Sequence, residues 1–331
     1  MRVGITYNLR DEAAGPLDQP EDLLEEFDSP ETIEAIAAVI GAEGHDVVKL
    51  GFGKAALEKL LKEKIDFVFN IAEGYSGRSR EAHIPAVCEM LNIPYSGPDP
   101  LTASLTLDKV MAKRVAVASQ VTTPKHYVIE DVRDFNFGIL KFPVILKLAY
   151  QGSSKGIREH SKAANVEEAE RQAAWLRESY PYEPILAEQF IAGREVTAGV
   201  VGDEIIGLME IIPTNKEPDD FIYSLEVKRD YLNQVKYQCP AQLSLFVKNR
   251  IEHAVLALHK AFGCRDSARF DFRIDSTGTP YFLEVNPLPG LNPVSGDLVI
   301  MSRLLGIEHA DLIRRIFFHA LKRYNLNHGS L

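Results

Sequence analysis

The chain has 331 residues, of which 46% are hydrophobic and 25% are charged, and this balance excludes a disordered or fibrous protein. Its formal net charge of -10 excludes a broad basic surface for nucleic acid or anionic membrane, so any anionic ligand needs a local basic cluster. The three cysteines lack paired spacing and the nine histidines form no ligand motif, which leaves a hard, oxygen-bound metal as the open metal chemistry.

The first third of the chain alternates strand-like and helix-like segments. Arg2–Tyr7 is rich in strand formers and lacks the basic and apolar regions of a signal peptide. Ser29 to Glu31 then form a helix start with proline in first position, and two further strand and helix pairs follow. This alternation predicts a parallel α/β domain over residues 1–98. No apolar run is long enough to cross a bilayer, and we expect a cytoplasmic protein.

Residues 99–184 predict a small central domain with a helix carrying Lys109, short strands, a glycine–serine loop at 151–156 and a helix near 166–179. Residues 185–331 predict a third domain, in which the strands look longer and antiparallel. The predicted fold class is therefore α/β with two α+β subdomains.

The segment 268–286 predicts a β-hairpin. Strict alternation places its apolar side chains on one face and Arg269 and Asp271 on the other. A two- or four-residue loop after Ile274 puts Asp271 opposite Phe282 and Arg269 opposite Glu284. Asp271, Glu284 and Asn286 then project from the same face.

Three oxygen ligands on one rigid hairpin suit Mg²⁺, which takes few protein ligands and completes its shell with water and phosphate oxygens. Arg269 beside them could hold a transferring phosphoryl group. The alternative is a solvated outer face with a cross-strand Arg–Glu pair.

Two further segments favour a phosphate site. Lys147 lies inside an apolar strand, where an ammonium either reaches outward or meets an anion. The small residues Gly152 to Ser154 that follow allow backbone N–H groups to approach phosphate oxygens, although a mobile surface hairpin would have the same composition.

The segment 187–195 carries Glu188 and Glu195 at its ends, and these acids could accept hydrogen bonds from an adenine amine and a ribose hydroxyl. Charged residues at strand ends are also often just solvated. A competing motif, Gly51 to Ala56, matches a dinucleotide-binding loop, but it does not follow the first strand and has no acid at the expected distance.

Taken in order, these residues resemble the ATP-grasp superfamily and, within it, the D-alanine–D-alanine ligases, from about Ile93 to Ile313. The matching motifs are 93–97, 107–109, 144–147, 152–154, 188–195, Lys228, Arg269 with Asp271, and 283–290.

The resemblance implies a role for each matching residue. Lys109, Lys147 and Lys228 would contact the phosphates of ATP, with Gly152, Ser153 and Ser154 closing over them. Glu188 and Ile191 would meet adenine and Glu195 the ribose, while Asp271, Glu284 and Asn286 would bind two Mg²⁺ ions, or Mn²⁺. Arg269, Ser153 and the N–H of Gly290 would act on the acyl phosphate and the oxyanion.

Several departures from the family affect the amino-acid pocket. Only Asp11 or Glu12 could stand in for the acid that holds the first ammonium, Arg229 replaces a tyrosine, and Ser295 remains where the family binds the second carboxylate. Arg78, Arg80 and Arg229 could suit a substrate with an additional carboxylate, or could be surface arginines.

The expected function is therefore an ATP-dependent carboxylate–amine ligase that forms an acyl phosphate and acts on amino acids or short peptides. The resemblance also implies peptidoglycan biosynthesis. The alternatives are a related ligase with another substrate, a non-ligating ATP-binding module, and a nicotinamide-dependent dehydrogenase. We expect no nucleic-acid or membrane partner and leave a homodimer open.

Overall fold

The structure is a computed structural model and describes residues 1–10 and 20–326, so Asp11 and Glu12 lie outside the described residues. Its strands are β1 Arg2–Thr6, β2 Asp46–Gly51, β3 Phe67–Asn70, β4 His126–Ile129, β5 Val144–Leu148, β6 Lys162–Ala163, β7 Ile185–Gln189, β8 Arg194–Val201, β9 Glu204–Pro213, β10 Val235–Gln238, β11 Ser267–Ile274 and β12 Pro280–Asn286. Its α-helices are α1 Pro30–Ala42, α2 Gly53–Lys62, α3 His83–Leu91, α4 Pro100–Leu107, α5 Lys109–Ala118, α6 Val166–Ser179, α7 Leu225–Arg229, α8 Tyr231–Gln234, α9 Leu245–Phe262, α10 Asp297–Leu304 and α11 His309–Arg323. None of these helices combines the length and apolarity that crossing a membrane requires.

The first sheet is parallel, with the strand order β2-β1-β3. Its central strand β1 is apolar because helices cover both faces, and Val3 and Ile5 are fully buried. These side chains share one hydrophobic cluster with Leu312 and Phe317 of α11. The N-terminal sheet and the last helix of the chain therefore form a single core.

The second sheet has the order β4-β7-β5-β6 and is antiparallel. Helix α6 covers one face, and its Ala173 and Leu176 are fully buried in the shared core. Strand β7 lies between β4 and β5, so this sheet continues to Gln189, past residue 184, where the sequence ended the central domain.

The third sheet is antiparallel, with the order β10-β9-β8-β11-β12. Helix α9 packs on one face, where Ile251 and Val255 share a core with Phe270 and Phe272. The other face of β11 carries polar side chains, as the alternation predicts. This face lies toward the functional site described below.

The hairpin of β11 and β12 has a different register from the one predicted. Asp271 pairs with Glu284, not Phe282, and Arg269 pairs with Asn286, not Glu284. Two features cause the shift. The loop from Asp275 to Thr279 is longer than the two- or four-residue loop assumed, and the register shifts again between Asp271 and Phe272, as at a β-bulge. In the observed register, the carboxylates of Asp271 and Glu284 lie directly opposite each other.

Candidate active site

Two neighbouring cavities contain every predicted site residue that the structure describes. The large cavity, of about 780 Å³, is lined by Lys109, Gly152, Ser153, Lys228, Arg229, Arg269, Glu284, Asn286, Gly290 and Ser295. The smaller cavity, of about 90 Å³, is lined by Lys147, Ser154, Glu188, Ile191, Glu195 and Asp271. Lys228, Arg269 and Glu284 line both cavities, so the two volumes meet at the hairpin.

Arg269 is held in place by carboxylates on two elements. Its Nη2 lies 3.0 Å from Asp271 on the same strand, and its Nη1 lies 3.0 Å from Asp297 at the start of α10. Burial opposes the charge, but Asp271 and Asp297 outweigh it and raise the pKa of the guanidinium. Arg269 is thus a fixed, permanently charged cation between the two cavities.

The donor set of the hairpin suits a hard divalent cation. Asp271 and Glu284 face each other across the strands, and the Asn286 side chain lies beside them on β12. Burial alone would raise the pKa of Glu284, but Lys109 and Lys147 lower it well below its usual value, so the carboxylate stays ionised. Among residues 1–10 and 20–326 no cluster of three His, Cys, Asp or Glu side chains forms a metal cage. Two carboxylates and an amide oxygen match the few protein ligands of Mg²⁺.

Lys147 meets an anion inside the protein. Its Nζ lies 3.1 Å from Glu188 on the neighbouring strand β7, and Lys113 of α5 lies 2.5 Å from the other oxygen of the same carboxylate. Burial raises the pKa of Glu188, but the two lysines lower it further, so Glu188 is ionised. Burial lowers the pKa of Lys113 to about 8, partly offset by Glu188. Glu188, predicted to meet adenine, therefore also orients a predicted phosphate ligand.

The far side of the small cavity is formed by the turn between β7 and β8. Burial raises the pKa of Glu195 to about 7, although Arg273 lies 3.1 Å away. Arg273 also donates a 2.7 Å hydrogen bond to the carbonyl of Gly193. Gly193 has φ +131°, and a Cβ there would lie 2.0 Å from the carbonyl oxygen of Ile274. Only glycine permits this close approach, which places Ile191 and Glu195 in one cavity.

The glycine–serine loop is docked onto the N-terminal domain. Ser153 and Ser154 both have positive φ, +47° and +58°, a strained backbone for residues other than glycine. Glu26 accepts hydrogen bonds from the N–H of Gly152 at 2.7 Å and from Lys155 at 2.6 Å. The Ser154 hydroxyl donates to the carbonyl of Tyr223 at 2.8 Å. The loop thus lies closed between two parts of the chain.

A second segment that borders the large cavity is α7, which carries Lys228 and Arg229. The Lys228 ammonium lies 5.2 Å from the centre of the Tyr223 ring, within the range of a cation–π contact. Arg229 donates to Glu25 at 2.6 Å, which ties α7 to the same N-terminal segment.

The arginines considered for an additional substrate carboxylate do not converge on one point. Arg78 binds Asp108, Arg80 binds Glu26, and Arg229 binds Glu25. Each guanidinium is already paired with a protein carboxylate, and the structure does not support a second carboxylate site built from them.

Sequence reasoning missed three residues that organise the site. Glu26 belongs to a segment between predicted elements, Lys113 lies on the helix for which only Lys109 was singled out, and Asp297 starts a helix that was not predicted. Asp297 could have been recognised because acidic residues are favoured in the first turn of a helix.

The class of protein follows from a comparison of the whole fold with solved structures. A D-alanine–D-alanine ligase from Bacillus anthracis complexed with ATP aligns with a TM-score of 0.73 at 20% identity, covering 98% of this chain and 99% of that chain. A D-Ala:D-Ser ligase from Enterococcus faecalis aligns with a TM-score of 0.70 at 19% identity, covering 96% and 99%. The fold is that of the ATP-grasp class.

The sequence comparisons give the family. The family described as "D-ala D-ala ligase C-terminus" matches residues 116–317. A D-alanine–D-alanine ligase from Geobacter sulfurreducens is 30% identical over 292 residues, 86% of this chain and 87% of that protein. This chain therefore belongs to the D-alanine–D-alanine ligase family. The predicted ATP-grasp fold and ATP-dependent ligase class are confirmed, whereas the roles of individual residues stay predictions.

Proposed function

We propose that this protein transfers the γ-phosphoryl group of ATP to an amino-acid or peptide carboxylate and joins the resulting acyl phosphate to an amine. The observation that carries the proposal is the pairing of Asp271 with Glu284 beside Arg269, where the smaller cavity meets the larger one. A module that only bound ATP would not need this phosphoryl-transfer set.

The carboxylate oxygen attacks the γ-phosphorus, ADP leaves, and the carboxylate becomes an acyl phosphate. Asp271, Glu284 and Asn286 would hold two Mg²⁺ ions, or Mn²⁺, whose charge would neutralise the phosphate oxygens when bound. Lys109, Lys147 and Lys228 bind the phosphates as point charges.

The amine then attacks the carbonyl carbon, phosphate leaves, and the nitrogen loses a proton. Arg269 faces the acyl phosphate, and the N–H of Gly290 donates to the oxyanion of the tetrahedral intermediate. The loop 152–154 and α7 exclude water, which would otherwise hydrolyse the acyl phosphate.

The substrates are amino acids or short peptides. D-alanine is the natural first candidate, because the Geobacter sulfurreducens relative is a D-alanine–D-alanine ligase, and that activity would place the protein in peptidoglycan biosynthesis. The altered first-substrate pocket favours another amino acid over D-alanine. A cytoplasmic location belongs to the proposal, since the reaction consumes ATP made there, and light scattering will decide between a monomer and a homodimer.

The test is an ADP-release screen over D- and L-amino acids, singly and in pairs, with the mass of each product measured. We expect ADP and phosphate only when a carboxylate and an amine substrate are both accepted, with weak activity on D-alanine alone. Exclusive and strong D-alanyl-D-alanine synthesis would contradict the altered pocket. Tight binding of Mg-ATP without any product would favour the non-ligating module.

A further inference from the structure

The N-terminal wall of the large cavity carries acids that the nucleotide site does not use. Asp28 precedes α1, Glu73 follows β3, and Glu81 lies in the short 3-10 helix Arg80–Ala82. All three line the large cavity, and Asp28 and Glu73 also line an adjoining cavity of about 30 Å³ that reaches Gly290. The acids thus lie next to the glycine assigned to the oxyanion.

Within residues 1–10 and 20–326 no hydrogen bond or ion pair joins these three carboxylates to a partner, although Arg10 acts on Asp28, and Arg80 and Lys109 act on Glu81, through longer-range electrostatic attraction. Glu81 is only 8% exposed, and it lines the cavity. The remaining stretches, 11–19 and 327–331, contain no lysine or arginine. Because burying an unpaired charge is costly, such acids keep their protons more tightly than free carboxylates do, and a cation from a ligand would stabilise the ionised form.

The nearest protein cations are already engaged. Lys155 and Arg80 lie 2.6 Å and 2.9 Å from Glu26, and they lower its pKa to about 2 in spite of its burial. Burial raises the pKa of Asp28 to about 7, an effect that Arg10 offsets only in part, and burial also raises that of Glu81 to about 7. Burial and the repulsion of Glu26 and Glu81 raise the pKa of Glu73 well above its usual value. The protein alone therefore does not keep all three acids ionised at neutral pH, and a cation beside them would stabilise their charged form.

Another part of the cavity lining has the reverse character. Lys109, Lys228 and Arg269 line the same cavity from α5, α7 and β11, on the side assigned to phosphate. A ligand that spans the cavity is thus expected to be anionic at one end and cationic at the other.

We propose that the amino-acid substrate held against this wall carries two cationic groups, its α-ammonium and a basic side chain, as in lysine or ornithine. The inference rests on the proposed ligase function and names its substrate class. The three acids line the cavity from separate segments of the chain, so the α-ammonium can pair with one of them and leave the others for a second cationic group. A volume of about 780 Å³ leaves room for a side chain longer than that of alanine.

The experiment compares lysine with norleucine, which has the same chain length without the charge, and ornithine with norvaline. Each is supplied as the D- and L-form with D-alanine as the second substrate, and ADP release is measured. We expect kcat/KM for lysine to exceed that for norleucine by at least ~100-fold, because a site built to pair a cation rejects the analogue that lacks it. Equal use of the two overturns the proposal.

Glu81→Gln tests the wall directly. The variant is expected to lower the lysine-to-norleucine ratio of kcat/KM at least ~10-fold. Glu58→Gln, on the exposed face of α2, is the matched control and leaves the ratio unchanged. Glu81→Gln removes an uncompensated buried charge, so it is expected to fold, and Glu73→Gln provides the same test at a second position. An unchanged ratio in both variants overturns the proposal.

A binding measurement separates this proposal from the proposed function. Calorimetry with lysine and norleucine, in the presence of a non-hydrolysable ATP analogue and Mg²⁺, requires no turnover. If no amino acid releases ADP, the ligase function fails, and a calorimetric preference for lysine still supports the cation-binding wall. Equal binding of lysine and norleucine overturns the proposed cation-binding role of the wall, whatever the enzyme activity.

Discussion

The ammonium of Lys155, in the glycine–serine loop, lies 2.6 Å from the carboxylate of Glu26 in the N-terminal domain. The same carboxylate accepts hydrogen bonds from the N–H of Gly152 and from Nη2 of Arg80. The buried side chain of Glu26 therefore joins the glycine–serine loop to the N-terminal domain. Removing this carboxylate is expected to affect both the stability of the protein and the position of the loop.

Glu26→Gln is expected to destabilise the protein by about 3–5 kcal/mol, because Arg80 and Lys155 lose their buried counter-charge. The folded-state pKa of Glu26, about 2, lies below the ordinary value of 4.5. Its contribution to stability is therefore complete above pH 4.5 and declines as the pH falls toward 2. Urea unfolding at pH 7 and between pH 5 and 3 measures both effects. The control is Glu21→Gln, whose side chain is 70% exposed, and identical unfolding midpoints for the two variants would refute the role of Glu26.

Glu284→Gln is expected to reduce ADP formation at least ~100-fold while the protein stays folded, because a weaker metal ligand misplaces the phosphates without disturbing the core. ADP release across a Mg²⁺ titration, together with the thermal unfolding midpoint, measures the two properties separately. Glu204→Gln, exposed at the start of β9, serves as the control. Near-normal turnover at every Mg²⁺ concentration would contradict the assignment of the hairpin as the metal site.

Lys147→Met and Lys113→Met are expected to differ in their effect on ATP. Both lysines pair with Glu188, but only Lys147 lines the nucleotide cavity. We expect Lys147→Met to raise the KM for ATP at least ~10-fold and to lower kcat, and Lys113→Met to act chiefly on stability. Equal changes in KM would mean that Lys147 acts only through Glu188.

The pH dependence of stability gives a second readout for Lys113. Its folded-state pKa, about 8, lies below the ordinary value of 10.5, so the unfolded chain binds more protons between these two values. Stability due to this group therefore rises with pH from 8 to 10.5. Lys113→Met is expected to remove that rise, and an unaltered pH profile would contradict the burial of its charge.

Gly193→Ala is expected to cost more than about 3 kcal/mol or to prevent folding, because the new Cβ would lie 2.0 Å from the Ile274 carbonyl oxygen at a positive φ. Gly290→Ala is the matched control, since a Cβ there has no neighbour within 4 Å and the N–H is retained. Thermal unfolding of both variants checks the contrast. A stable Gly193→Ala protein would show that the turn between β7 and β8 is not fixed by this contact.

The sequence was most informative where side chains alternate or recur along one element. The alternation from Ala268 to Ile274 separated the buried face from the polar face because it reflects local backbone geometry. The register of the hairpin was predicted wrongly, because a longer loop and an irregularity after Asp271 leave no periodic signal.

Contacts between distant segments were also not predictable. Glu26 is 129 positions from Lys155, and nothing in the local pattern around either residue indicates the partner. Arg80 shows the same limit, because its type suggested a ligand for a substrate carboxylate, whereas the fold supplies Glu26.

The shared core of β1 and α11 has a consequence for synthesis on the ribosome. Val3 and Ile5 leave the exit tunnel long before the helix that buries them, with Leu312 and Phe317, is synthesised. At a rate of about 5–20 residues per second, the first sheet waits about 15–60 s for its cover. During that time its apolar strands are exposed to chaperones or to other nascent chains. The yield of native protein therefore depends on how the cell shields β1 until α11 has been synthesised.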